Sequence, residues 1–234
     1  MDTQTRRALK TNKFADAAAD SANWLSGHRS GVVRGTIIIV AVLALAVGSL
    51  AYWSARSTAA DSALGAAVDL YTAPLASPQA PPEAGVYTAA ADRAKEANRE
   101  FVAVAKDFGW LPQGAKAHYF AGITYEELGQ NGSAESELKS AAGSWDKNLS
   151  NLANLALAGL YQQTARDDQA IALYNQLIAK PSPTVSAATS QLDLADLYAS
   201  QGKKDQARAL WAKVQDADKE GPAGQAAAQK LAGK

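Results

Sequence analysis

Few residues in this sequence have the types and spacing that chemistry requires. The chain has two histidines, His28 beside Arg29 and His118 in a predicted helix, and it has no cysteine. The lack of cysteine excludes disulfides, thiolate zinc sites and a cysteine nucleophile. There is no His-x-x-x-His pair for a helical zinc site, and no glycine-rich phosphate loop precedes a helix. We therefore predict that the protein is not an enzyme, with no catalytic residues, no bound cofactor and no metal.

One acidic segment is similar to part of a metal site. Residues 216–221 read DADKEG, like the start of an EF-hand loop, in which alternate carboxylates bind calcium and a glycine permits a sharp turn. The bidentate acid that completes such a loop would fall at position 227, which is Ala227. We therefore interpret this segment as the exposed acidic end of a helix.

Charge and composition restrict the class of protein. Lys and Arg number 23, as do Asp and Glu, so the formal net charge is zero. A nucleic-acid binder needs a basic field to neutralise phosphates, so this balance predicts no nucleic-acid partner. Alanine and unbranched side chains, which lose little rotamer freedom in a helix, predominate outside one apolar stretch. We expect an all-α chain.

The apolar stretch is residues 35–53, GTIIIVAVLALAVGSLAYW, and carries no charge. As a helix it would be roughly 28 Å long, close to the thickness of the hydrocarbon core. Positive charge is concentrated before it, which favours a cytoplasmic N-terminus. We predict a transmembrane helix over 35–54 in the inner (cytoplasmic) membrane, with the C-terminal domain periplasmic or extracytoplasmic. Rings and basic side chains favour the headgroup region, which gives a membrane-interface set of Trp24, Arg34, Tyr52, Trp53 and Arg56.

Other interpretations of the N-terminal region stay open. A cleaved signal peptide is one, since Ser49-Leu50-Ala51 is a small-x-small site, although the apolar run exceeds the usual length of about 7–15 residues. A buried core helix would also be apolar, but a solenoid has no place for a helix that is apolar all round. Residues 1–34 form a basic cytoplasmic tail, in which Arg6 to His28 is either an interfacial amphipathic helix or a poorly ordered segment.

Three stretches of the C-terminal half align with one another. They start at Ala121, Leu157 and Leu194, which are 36 and 37 residues apart. Each has a small residue, a tyrosine three later, a second small residue, an alanine and a larger apolar residue. These positions are Gly122, Ala158 and Ala195; Tyr125, Tyr161 and Tyr198; Gly129, Ala165 and Gly202; Ala134, Ala170 and Ala207; Leu138, Tyr174 and Trp211.

This pattern resembles the tetratricopeptide repeat, a helix–turn–helix unit of 34 residues. The first small residue lets helix A approach helix B closely, and the tyrosine fills the groove between neighbouring helices. The second small residue sits at the turn, where a left-handed backbone is expected. Two features depart from the pattern: the tryptophan of helix A is missing throughout, and no proline follows helix B in the first stretch.

The resulting architecture is all-α, a single transmembrane helix followed by a tetratricopeptide-like solenoid of antiparallel helix pairs. The predicted segments of the solenoid are a degenerate helical hairpin at 55–114 with a proline-rich break at 74–82, repeats at about 115–148, 151–184 and 188–221, and a C-terminal cap at 222–234.

A stacked solenoid forms a groove lined mainly by helix A, and such grooves bind an extended peptide or a partner helix. The alternative is that the same residues are simply solvated helix faces. The candidate groove residues are His118, Tyr119, Thr124, Glu126, Glu127, Asn154, Gln162, Gln163, Asp193 and Asp196.

The arrangement of tail, span, hairpin and repeats resembles the bacterial family of ancillary subunits of the SecYEG translocon. The stretches that carry this resemblance are GTIIIVAVLALAVGSLAYWSARS and LADLYASQGKKDQARALW. The resemblance implies a membrane-anchored periplasmic scaffold for protein–protein interaction, with translocon subunits, exported chains or periplasmic chaperones as partners. The alternative is a soluble periplasmic organiser of envelope assembly or cell division, released by signal cleavage.

Overall fold

The computed structural model describes residues 29–76 and 87–233, together with Asp16, Ala17, Ala19, Ser21 and Trp24. Most of the predicted interfacial helix and of the proline-rich break lies outside these residues. The described helices are α1 Arg29–Thr72, α2 Ala90–Asp107, α3 Pro112–Glu127, α4 Asn131–Ala142, α5 Lys147–Gln163, α6 Asp167–Ala179, α7 Ala187–Ser200, α8 Lys204–Ala217 and α9 Pro222–Ala232. No strand occurs among the residues described, so the all-α fold class is confirmed.

The chain divides into two compact units, residues 1–55 and 56–234. In the described part of the first unit, α1 is long and apolar enough to cross a membrane, and no side chain of its most apolar window is buried. Ile37 and Leu45, for example, are 62% and 72% exposed. These side chains cover no protein core, so the interpretation of this run as a buried core helix is wrong.

In the second unit, each helix from α2 to α9 packs against the next one along the chain. Helix α3 also contacts α5, and α7 also contacts α9. Ala60 and Ala67 of α1 are buried against α2 and α3. The unit therefore consists of A helices, which are α1 from Arg56 onward, α3, α5, α7 and α9, alternating with B helices, which are α2, α4, α6 and α8. This is the predicted solenoid of helix pairs, whose pairs α3/α4, α5/α6 and α7/α8 contain the three aligned stretches.

The close approach of helices A and B depends on the first small residue of each stretch. Ala158 and Ala195 are fully buried. At Gly122 there is no room even for a methyl group, since a Cβ atom there would lie 2.6 Å from Cγ of Leu138 and 3.2 Å from its backbone nitrogen. The expected role of this position is confirmed.

The turn between the two helices is the same in all three pairs. Gly129, Ala165 and Gly202 have φ of 70°, 56° and 75°, so the expected left-handed backbone is confirmed. The amide after each of them donates to the carbonyl of the repeat tyrosine: Gln130 to Tyr125 at 2.8 Å, Arg166 to Tyr161 at 2.7 Å and Lys203 to Tyr198 at 2.9 Å. With the second bond from the turn residue itself, this is a Schellman motif, which satisfies the last carbonyls of helix A.

The repeat pattern of helix B extends one unit further toward the N-terminus than the three aligned stretches. Ala134, Ala170 and Ala207 are fully buried, and so is Ala97 of α2, which lies 37 residues before Ala134. Four residues after Ala97, Phe101 occupies the place of Leu138 and is also fully buried. Helix α2 is therefore a B helix in register with the others.

Helices α3 and α9 begin in the same way. Pro112 and Pro222 stand in the first turn, where a missing N–H costs nothing. Two residues later, a Cβ atom on Gly114 would lie 2.2 Å from the carbonyl oxygen of Phe108, and one on Gly224 would lie 2.0 Å from that of Asp218. Phe108 and Asp218 are the C-cap residues of the B helices that precede α3 and α9. Helix α9 therefore starts as a further helix A and covers α8.

Ala165 is the one described residue other than glycine with positive φ. Since an L side chain in this region costs about 1–2 kcal/mol and glycine does not bear that cost, Ala165→Gly should raise the free energy of unfolding by about 1 kcal/mol. Urea denaturation measures it. The matched control is Ala103→Gly, at an exposed helical residue of α2, which should lower stability by about 1 kcal/mol. Equal losses from both substitutions would contradict the role of the left-handed turn.

Candidate functional site

The candidate groove residues all lie on the A helices of the three repeats. His118, Tyr119, Thr124, Glu126 and Glu127 belong to α3, whereas Asn154, Gln162 and Gln163 belong to α5, and Asp193 and Asp196 to α7. Two of them are not available to a partner. Thr124 is fully buried and accepts a hydrogen bond of 2.9 Å from Nδ2 of Asn98, and Asn154 is only 8% exposed.

Side-chain hydrogen bonds join three of the four consecutive pairs of A helices, α1 with α3, α3 with α5 and α7 with α9. Nε2 of Gln163 donates to Oε1 of Glu126 at 2.5 Å, and Nζ of Lys230 donates to Oδ2 of Asp196 at 2.7 Å. The hydroxyl of Tyr71 donates to Glu127. Several of the predicted polar residues therefore align the A helices. Their side chains are held in place by hydrogen bonds within the solenoid.

Larger side chains stand in equivalent positions on three A helices, and of these the sequence analysis identified only Tyr119. Tyr119, Leu155 and Leu192 each stand three residues before the small residue of their stretch, and all three are half-buried at the edge of the core. Ile123 lies beside them on α3. The alignment of the three stretches could have revealed this row, because these positions are equivalent although their residue types differ. We call Tyr119, Ile123, Leu155 and Leu192 the apolar row.

Carboxylates stand near one end of the apolar row. Asp193 and Asp196 lie close together on α7, and Asp196 accepts from Nε1 of Trp211 at 3.0 Å as well as from Lys230. Asp193 accepts no hydrogen bond from the described residues. Its burial, and then the neighbouring charge of Asp196, raise the pKa of the Asp193 carboxyl from 3.8 to about 6. Burial and the same two carboxylates raise the pKa of the Tyr174 hydroxyl above its usual value.

A second missed group lies at the junction of the first and second repeats. Glu135 of α4 accepts from Nζ of Lys139 at 2.7 Å, from Nη1 of Arg166 at 2.6 Å and from the hydroxyl of Tyr161 at 3.1 Å. The Lys139 and Arg166 hydrogen bonds lower the pKa of the Glu135 carboxyl to about 2. The repeat tyrosine thus has a polar partner on the preceding helix B, which helps to fix the stacking of the two pairs.

His118 does not join the groove residues at the far end of α3. Its Nδ1 lies 2.6 Å from Oε2 of Glu137 on α4. The imidazole lines a cavity of about 470 Å³, together with Trp110, Trp145 and Asp146. It lies near the middle of α3, about two turns before Glu126 and Glu127 at the end of the same helix.

The structure offers no arrangement for metal chemistry in the part of the chain that it describes. Within residues 29–76 and 87–233, no three His, Asp or Glu side chains come together as metal ligands. In the acidic segment, Asp216 and Glu220 are exposed, as predicted. Asp218 differs, because its Oδ2 accepts from the amide of Gly224 at 3.1 Å and so caps the N-terminus of α9.

The predicted membrane-interface residues fall into two groups. The exposed ones are Trp24, Arg34, Tyr52 and Trp53. Arg56 is half-buried instead: its Nη2 donates to the carbonyl of Asp107 at 3.0 Å, and its guanidinium lies 4.6 Å from the ring centroid of Phe108. Arg56 therefore ties α1 to the loop that follows α2.

The raised pKa of Asp193 predicts a pH dependence. The folded chain holds this proton more tightly than the unfolded chain, so the stability that the group contributes is lost as the pH rises from 3.8 through about 6. Asp193→Asn should therefore stabilise the protein at pH 7.5 by about 1 kcal/mol, after allowance for solvent screening, and have little effect at pH 4. Urea denaturation at the two pH values tests it. Asp216→Asn, at an exposed site of α8, is the control and should not change the profile, whereas equal stability of wild type and Asp193→Asn at pH 7.5 would contradict the prediction.

Comparison with known proteins shows the fold. No protein-family model matches the sequence, and no curated protein matches it either. Two crystal structures of a candidate kinesin light chain from Podosopora anserina, described as nearly identical TPR-like repeats, are similar to this chain. They share 20% and 21% sequence identity with a TM-score of 0.50 each, over 60% of this chain and 76% and 77% of theirs. The chain thus has a fold of the tetratricopeptide type.

Proposed function

We propose that this protein is a membrane-anchored scaffold for protein–protein interaction, and that its partner lies along the A helices. The observation that carries this proposal is the apolar row, which repeats in register on α3, α5 and α7 and is only half-buried. Solenoids bury a continuous core by stacking and leave one extended face for binding. Side chains that recur at the same place on successive helices suit an extended or helical partner segment.

The charges next to the apolar row define the chemistry of the partner. Glu126 and Glu127 close α3, and Asp193 and Asp196 lie on α7. Only one of these carboxylates, that of Asp196, is paired with a cation among the described residues. A partner segment with apolar side chains and basic residues would complement both features, because opposite charges speed association and discriminate against acidic partners.

The anchor in this proposal is the apolar run of α1. None of the side chains in its most apolar window is buried against protein. Basic residues are concentrated before it, which favours an N-terminus in the cytoplasm. The repeats would then lie on the periplasmic side. The likeness of this architecture to ancillary subunits of the translocon supports partners from protein export, namely translocon subunits, exported chains or periplasmic chaperones. A scaffold of this kind has no catalytic role.

Photo-crosslinking from native membranes tests the proposal with a matched pair of glutamines. A photoreactive residue replaces Gln162 at the end of α5 or, as the control, Gln176 on the exposed side of α6 in the same helix pair. We expect adducts with translocon subunits or exported chains from position 162 and not from position 176. Leu155→Lys, which puts into the apolar row a charge like that of the basic partner, should reduce the yield at position 162 by about tenfold, equivalent to ~1.4 kcal/mol of binding.

Other outcomes would change the account. Equal capture from positions 162 and 176 would refute the A-helix face as the binding surface. Capture of envelope or division proteins by a chain whose mature N-terminus begins near Tyr52 would favour the soluble organiser. Circular dichroism of each variant verifies that the helical fold is kept.

A further inference from the structure

Two tryptophans are exposed on the repeat unit. Trp110 is 57% exposed and Trp145 is fully exposed. Among the large apolar side chains in the described part of the second unit, only Leu75 is also exposed, and at 41% it is less accessible than either tryptophan. An indole gains much free energy when it leaves water, so two adjacent exposed indoles indicate a surface that is covered in use.

The two tryptophans lie on neighbouring loops of one edge. Trp110 belongs to the loop between α2 and α3, and Trp145 to the loop between α4 and α5. Both line the cavity of about 470 Å³, together with Pro112 and Ala115 of α3. At this edge each B helix ends and the next A helix begins.

The same edge is where the second unit begins. Arg56 is its first residue, and the guanidinium donates to the carbonyl of Asp107, three residues before Trp110. Arg56 also follows Trp53, the end of the apolar run, by only three residues, which span at most about 11 Å. Whatever the orientation of the apolar run, this short connection keeps the loop of Trp110 near Trp53, the last residue of the run.

Aromatic character is confined to the loops nearest Arg56. The next loop along the same edge, residues 180–186, reads KPSPTVS and is joined to the start of α5 by a hydrogen bond of 2.9 Å from Nδ2 of Asn151 to the carbonyl of Lys180. The loop after it, residues 218–221, reads DKEG. Neither contains an aromatic residue. A binding surface for a protein along the whole solenoid would not show this gradient, whereas a surface reached only near the anchor would.

Lipid headgroups are the chemistry that these side chains fit. Tryptophan favours the membrane–water interface, where its ring contacts acyl chains and its N–H remains hydrated. Exposed lysines stand around the two loops, Lys106 at the end of α2, Lys116 on α3 and Lys147 at the start of α5. Asp107 at the end of α2 and Asp146 in the loop of Trp145 oppose them. Lysines near a bilayer are attracted to anionic lipids.

We infer that the loops of Trp110 and Trp145 bind the surface of the bilayer that holds the anchor, with both indoles in the headgroup region. This inference rests on the proposed membrane anchoring. The repeat unit would then not swing freely on its span, because contacts at the edge of two helix pairs hold it against the lipid. The turns at Gly129, Ala165 and Gly202 lie at the opposite ends of the A helices and would point away from the membrane.

Fluorescence quenching tests this inference with the full-length chain, whose lack of cysteine permits single labels. The chain is reconstituted in vesicles of phosphatidylcholine and phosphatidylglycerol that contain a lipid spin-labelled near the headgroup. An environment-sensitive fluorophore is attached at Ser144→Cys, beside Trp145. Ser133→Cys, an exposed serine at the opposite edge, is the matched control. Ser49→Cys within the apolar run reports on the anchor.

We expect strong quenching at positions 49 and 144 and at least about twofold weaker quenching at 133, as the interfacial preference of tryptophan requires. Replacing Trp110 and Trp145 by serine in the Ser144→Cys chain should reduce quenching at 144 to the level at 133, with unchanged circular dichroism. Quenching at 49 with 144 no stronger than 133 would overturn the inference and leave the anchor intact. No quenching at any position would overturn both the anchor and the inference.

Discussion

The fold depends on one contact per helix pair, the place where helix A crosses helix B at a residue that has no side chain or only a methyl group. At Gly122 that contact admits no methyl group, because Leu138 of helix B fills the space. At Ala158 and Ala195 the contact holds a methyl group, and both residues are fully buried. Since the contact recurs every 36 or 37 residues, successive pairs have the same geometry and stack in one direction. The left-handed turn after each repeat tyrosine then returns the chain at the same angle.

The proposed binding surface follows from that stacking. A residue three before the crossing point is carried to the same side of every A helix, which explains why Tyr119, Leu155 and Leu192 form a row. The hydrogen bonds from Gln163 to Glu126 and from Lys230 to Asp196 hold neighbouring A helices together without filling this row. The loops that connect the end of each helix B to the next helix A are not constrained by the repeated crossing contact. Two of them carry tryptophans, and both lie near the start of the unit.

Residue types at single positions predicted the fold well, whereas partners in space were not predictable. The small residue, the tyrosine, the turn and the alanine are each constrained by local backbone geometry, so three aligned stretches were sufficient to identify the solenoid. Helix α2 was placed in a degenerate hairpin, because its helix A is the end of the long α1 and a break separates the two. The burial of Asn154 and Thr124 depends on stacking between pairs, which no single helix reveals. The Glu135 contacts with Tyr161 and Arg166 join different repeats for the same reason.

The central claim is that an uncleaved span holds the repeat unit on the opposite side of the membrane from the N-terminus. Labelling of single cysteines with a membrane-impermeant maleimide measures this directly, because the chain has no cysteine of its own. Ser21→Cys lies before the span and Gln176→Cys lies on an exposed side of α6. In intact cells whose outer barrier has been made permeable, the account predicts labelling at position 176 alone, with position 21 labelled only after lysis. Labelling of both positions from the same side, or a mature chain that lacks residue 21, would contradict it.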